Sequence, residues 1–172
     1  MTVHTLVFTA LFVACGLLLP FFFHMAGMGG SVFLPMHLPV LLAGLLLGWR
    51  PGLLAGMLTP LLSSFLTGMP PLFPVAPMMA LELAVYGGVA GYVRYGLGKG
   101  IFPSLVAAMV CGRLAVMVLL FFFAGSLGIR LSPLAYVAGG LMHGFPGIIL
   151  QLVLVPLIAA RLENVFRRQL SY

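Results

Sequence analysis

Of 172 residues, 63% are hydrophobic and only 6% are charged, against roughly 25% charged residues in a soluble domain. That composition leaves no polar coat for a water-facing surface, so it excludes an ordinary soluble protein and makes lipid the solvent. The net charge of +6 and the pI of about 10.0 do not argue for nucleic acid, because only eight Lys and Arg are present and they lie scattered between apolar runs, as topology signals do.

The apolar runs and their breaks predict an all-α integral membrane protein with six transmembrane helices, forming a single transmembrane domain over 1–172. The first span runs from about Thr5 to Phe23; MTVHTLVF before and within it carries no basic n-region, so it reads as a retained helix and not a cleaved signal. HMAGMGGSVFLPMH follows, and the second span covers about Leu38 to Trp49. Trp49-Arg50-Pro51-Gly52 reads as a tight charged turn, the third span covers about Leu53 to Leu66, and TGMPPLFP breaks the chain with three prolines. The fourth span runs from about Val75 to Tyr92, followed by RYGLGKG. The fifth covers about Ile101 to Ala124, followed by GSLGIRLSP. The sixth runs from about Leu134 to Ala160 and ends in RLENVFRRQLSY. At ~1.5 Å per residue the second and third spans are short for a core of ~30 Å, so neighbouring protein must cover their ends. Pro60, Pro146 and Pro156 fall inside predicted helices, where each frees a carbonyl four residues back and kinks its helix. The similarity of LPVLLAGLLLGW to GLLAGMLTPLL is compositional and marks no internal repeat.

With the N-terminus placed in the cytoplasm, Arg50, Arg94, Lys99, Arg161, Arg167 and Arg168 all fall inside, Arg130 falls outside and Arg113 lies mid-span. The positive-inside rule and the even number of spans therefore put both termini in the cytoplasm. The Pro- and Gly-rich connections 24–37, 67–74 and 125–133 then face outward, where a ligand from outside is met.

Glu82 and Arg113 are the ionisable residues that the reading places within spans, where charge is rare and either paired or functional. Glu82 lies about eight residues, ~12 Å, from the outer end of the fourth span, and Arg113 about twelve residues from the inner end of the fifth, so their depths agree. The spacing predicts an ion pair between adjacent helices and leaves open whether either touches a substrate. Tyr86 shares the face of Glu82 at i, i+4. His37 and His143 stand where they can donate to a ligand in an outer cavity or be satisfied by a backbone carbonyl; Gln151, two turns beyond His143, shares that face. His24 lies in the first outer connection and His4 near the cytoplasmic end. The histidine spacings make no metal site, and Cys15 and Cys111 read as small buried hydrophobes. Without any Asp, with two acidic residues in all and no nucleophile or nucleotide motif, the sequence offers neither an enzyme active site nor its own ATP-hydrolysing apparatus, and implies no cofactor.

Ala10-Leu11-Phe12-Val13-Ala14 puts two alanines on one stripe of the first helix, which permits close helix approach. This motif, the six short helices, and LPMHLPVLLAGLLLGWRPGLLAGMLTPLLSSFLTGMPPLFP with its Pro-containing start, basic-Pro-Gly turn and Gly-rich third helix together resemble the substrate-binding S-component of energy-coupling factor (ECF) vitamin transporters. The resemblance implies an S-component-like bundle in a prokaryotic cell membrane that captures a vitamin or related micronutrient at its outer face. It also implies docking of the Ala10/Ala14 face on a transmembrane T-component driven by two ATPase subunits. By position, His37, Glu82, Tyr86, Arg113 and His143 are the candidates to contact the ligand. The poverty of charge in the outer loops fits a ligand with a ring or hydrophobic body and not a highly phosphorylated one. The runner-up reading is a self-sufficient small transporter or channel in which Glu82 relays protons.

Overall fold

The computed structural model describes residues 1–25, 30–126 and 132–170, and within these the regular structure is helical. In chain order the helices are α1 (Val3–Met25), α2 (Gly30–Phe33), α3 (His37–Leu47), α4 (Trp49–Thr67), α5 (Val75–Gly91), α6 (Ile101–Phe123), α7 (Pro133–His143) and α8 (Phe145–Leu170), with a π-helical turn at Tyr92–Gly96 after α5. Four stretches are long and apolar enough to cross a bilayer: Val3–Phe23, Val75–Gly96, Ile101–Phe123 and Phe145–Glu163. Their outward faces are apolar. Val7, Leu11, Phe21 and Phe22 on α1, and Phe121 and Phe122 on α6, are all exposed, which suits lipid and not water.

The turn between the predicted second and third spans and the whole of the sixth differ from what is observed. Trp49–Gly52 is not a turn but the first turn of α4, and the reversal is confined to Gly48, at φ 103°. That backbone region is open to glycine and strained for other residues. Pro51 is accommodated because the first turn of a helix has no use for its missing N–H. The sixth predicted span is two helices, α7 and α8, broken at Gly144. Pro146 stands in the first turn of α8, where it needs no carbonyl partner, so it kinks nothing; Pro60 and Pro156 do lie inside α4 and α8, as Pro20 does in α1. Ser132 caps α7 by accepting from the Ala135 N–H at 3.2 Å, ahead of Pro133.

α3 is the centre of the bundle. His37 through Leu46 are all buried, the pattern of a helix surrounded on every side, and α1, α4, α5, α6 and α8 pack around it. Close approach to α4 and α5 is made by glycines. Gly44, Gly48, Gly52 and Gly56 recur every four residues, and Gly87 and Gly91 answer them on α5. A Cβ added at Gly44, Gly52, Gly56, Gly87 or Gly91 would collide with backbone of a neighbouring helix, so three backbones meet where side chains are absent. Gly16 of α1 similarly seats Thr59 of α4, whose hydroxyl donates to the Ala55 carbonyl at 2.6 Å.

One end of the bundle gathers both chain ends. Phe8 packs edge-on against Phe166 at 4.8 Å between ring centroids. There Arg94 Nη2 pairs with Glu163 Oε1 at 2.7 Å and Arg94 Nη1 donates to the Lys99 carbonyl at 3.0 Å. The Tyr95 hydroxyl donates to the Leu45 carbonyl at 2.8 Å, satisfying a group that the end of α3 leaves without an intrahelical partner. At the opposite end the chain bends between α2 and α3 at Leu34, φ 50°, and this bend lies on the α7–α8 break. A Cβ on Gly144 would meet Leu34 Cδ1 at 3.0 Å, and one on Gly147 would meet the Phe33 backbone at 2.7 Å. Arg130 and most of the 125–133 connection lie outside the described residues, as does part of the 24–37 connection.

Candidate functional site

α5 and α6 follow one another through a short connection and pack side by side, which brings Glu82 level with Arg113. Arg113 Nη1 lies 3.0 Å from Glu82 Oε1. The pair is buried: Glu82 is 7% exposed. The distance makes an ion pair, but the alignment makes no hydrogen bond, and both Glu82 Oε1 and Arg113 Nε lack a hydrogen-bond partner. The guanidinium also reaches α7, where a Cβ on Gly140 would stand 3.6 Å from Nη1.

Tyr86 lies one helical turn beyond Glu82, buried, with its hydroxyl beside both Glu82 and Arg113. Its ring lies on the backbone of Gly112, where an added Cβ would fall on ring carbons Cδ1 and Cε1. His37, the first residue of α3, presents its ring to Tyr86 at 5.4 Å between centroids and 70° between planes. His37 is only 2% exposed, and its ring lies beside the Leu34 backbone at the bend before α3. Gln151 of α8 is equally buried, and both of its amide atoms are without partners. Buried polar groups in folded proteins are nearly always hydrogen-bonded, so the Gln151 amide stands out within an otherwise apolar helix face.

A cavity of about 300 Å³ opens beside this cluster, lined by Tyr86 of α5, Met109, Val110, Arg113, Leu114 and Met117 of α6, Val137 and Leu141 of α7, and Ile148 of α8. Its walls are apolar apart from Tyr86 and Arg113. That is the make-up of a small-molecule site, in which a few polar groups orient a mostly apolar ligand.

Of the residues selected from sequence, His37, Glu82, Tyr86 and Arg113 come together, through the contacts His37–Tyr86, Tyr86–Glu82 and Glu82–Arg113. His143 is exposed in the last turn of α7, and it does not line the cavity. The His24 side chain lies outside the described residues, and His4 is exposed. Ala10 and Ala14 are both exposed on α1. Cys15 and Cys111 are exposed to the lipid side and not buried as expected; a small apolar thiol is as compatible with acyl chains as with a core. The sequence reading passed over Gly112 and the methionines of α6. The signal for Gly112 was present, since an isolated glycine inside a helix points to close packing, whereas nothing distinguishes Met109 and Met117 from other apolar residues of α6. Among the described residues no cluster of His, Cys, Asp or Glu could hold a metal.

The model of a protein family described as "ECF transporter, substrate-specific component" matches residues 4–159. Comparison with curated proteins and with solved structures gives no match.

Proposed function

The chain belongs to the family of ECF transporter substrate-specific components, and on that premise we propose that it is a vitamin-binding S-component, a non-enzymatic subunit that captures a small ring-bearing micronutrient and hands it to an ATP-driven import complex. The observation that carries the reading is the buried polar cluster of His37, Tyr86, Glu82 and Arg113 beside a cavity of about 300 Å³. That volume is at the lower end of the ~300–1,000 Å³ usual for small-molecule sites.

In this reading the chain crosses the membrane six times. α1, α4, α5 and α6 each cross once, the bent pair α2–α3 makes one crossing and the broken pair α7–α8 another. Packing of Phe8 against Phe166 supports an even number of crossings, with both termini on one side. Arg50, Arg94 and Lys99 lie at that same end and mark it as cytoplasmic by the positive-inside rule. The 67–74 connection and the α2–α3 bend then face outward, with the cavity reached from that side. The exposed Ala10/Ala14 stripe of α1 is the docking face for a T-component, which two ATPase subunits drive.

The test is mass spectrometry of small molecules released from the purified protein, paired with Met117→Trp to fill the cavity. A stoichiometric micronutrient that is lost in the variant supports the reading. A ligand retained at full occupancy refutes this location. Uptake that proceeds without ATPase subunits and is abolished by Glu82→Gln refutes the S-component mechanism in favour of a self-sufficient, proton-coupled carrier.

A further inference from the structure

A lone guanidinium on an otherwise apolar cavity wall is the usual anchor for a carboxylate or phosphate, because its planar fork matches two anionic oxygens. Here that anchor is already occupied. Among the described residues Arg113 is the one charged side chain that lines the cavity, and its Nη1 is held 3.0 Å from Glu82 Oε1. Glu82 itself does not line the cavity. It stands behind Arg113, 7% exposed, and among the described residues no other cation lines the space to compensate a second anion. A carboxylate ligand would either face Glu82 across a single guanidinium or displace Glu82 and leave it buried without its partner, and both are strongly unfavourable.

We propose that Glu82 sets the charge class of the ligand: by neutralising Arg113 it makes the cavity select uncharged, hydrogen-bonding ring compounds and reject carboxylates. This rests on the cavity's being the ligand site, as argued above. The rest of the wall agrees with a ring. Met109, Met117 and the edge of Tyr86 offer soft sulfur and aromatic contacts, which favour an aromatic face. Glu82 is thus a positioning residue for specificity, acting on the ligand through Arg113.

The experiment uses the full chain in lipid nanodiscs and a panel of heteroaromatic carboxylic acids, each matched with its primary amide, nicotinate and nicotinamide among them. Binding is read by saturation-transfer NMR, and the Met117→Trp variant identifies which binding is in the cavity. In the wild-type chain, cavity binding is expected to favour amides over their acids by roughly 100-fold, the scale set by uncovering a buried charge. Glu82→Gln is expected to reverse the order and recruit the acids to Arg113, while Glu82→Asp, which keeps the charge, retains the preference for amides. A merely structural Glu82 would lower binding of both classes together. Should Glu82→Gln fail to fold, Glu82→Gln/Arg113→Gln removes both charges at once and is expected to keep the preference for amides. Acids that bind the wild-type cavity as well as their amides overturn the proposal, as does a folded Glu82→Gln that still rejects acids or a double variant that accepts them. Each of those outcomes leaves the cavity standing as the ligand site, whereas a panel whose binding is untouched by Met117→Trp removes the site and the proposal with it.

Discussion

Adjacent glycines on α5 give a demanding test of the way this bundle is held together. A Cβ on Gly87 would lie 2.9 Å from the Gly52 Cα and closer still to the Gly52 carbonyl, whereas one on Gly88 would touch the Leu53 side chain at an ordinary 3.6 Å. The obstacle at Gly87 is backbone within α4, which no rotamer change relieves. Restoring ordinary 3.4 Å contact to the Gly52 Cα alone requires α4 and α5 to part by about 0.5 Å, and the nearer carbonyl requires more. Overpacking of this kind costs about 1–3 kcal/mol, and exchanging Gly for Ala within a helix returns up to about 1 kcal/mol. Gly87→Ala is therefore expected to be destabilising by up to ~3 kcal/mol, and Gly88→Ala to be neutral or stabilising by up to ~1 kcal/mol. The chain has one tryptophan, and Trp49 sits where α4 meets α5, with its backbone against Gly91. Its fluorescence during SDS-induced unfolding in mixed micelles reports this contact directly, with far-UV circular dichroism as the global control. Equal midpoints for Gly87→Ala and Gly88→Ala would refute the claim that backbone contact at the glycine stripe sets the helix separation.

Other expectations follow from the site and its surroundings. Arg113→Gln leaves Glu82 buried without its counter-charge and is expected to cost about 3–5 kcal/mol, most of it recovered in Glu82→Gln/Arg113→Gln; a double variant no more stable than the single, by the same unfolding assay, contradicts the ion-pair account. Gly112→Ala drives a methyl into the Tyr86 ring and is expected to weaken ligand binding at least tenfold, measured by equilibrium dialysis, while Gly139→Ala on α7, where a Cβ meets nothing within 4 Å, leaves binding unchanged. Ala10→Trp together with Ala14→Trp alters only exposed positions on α1. Those substitutions are expected to preserve ligand binding and to abolish co-purification with a T-component and ATP-driven uptake; uptake at the wild-type rate counts against the docking face.

The sequence alone determined that the chain lives in lipid, since 63% hydrophobic and 6% charged residues admit no other solvent. It also located the helices around α1, α5 and α6 to within a few residues, because long apolar runs bounded by Gly, Pro and basic residues leave little choice. Equal depth in adjacent spans was enough to bring Glu82 and Arg113 together, and the i, i+4 spacing was enough to add Tyr86. Only the tertiary structure decided where the chain reverses within an apolar stretch. The turn between the second and third spans was legible in Trp49-Arg50-Pro51-Gly52 and only its register was off, the reversal falling on Gly48 at φ 103°, whereas Gly144 looks like an ordinary small residue in a hydrophobic run and breaks the sixth span where it packs against Leu34. It also separated His37 from His143, which the sequence treats alike: His37 opens a helix enclosed on every side and is buried, whereas His143 ends α7 and is exposed. Burial depends on which neighbours arrive from distant parts of the chain, and local composition carries no record of them.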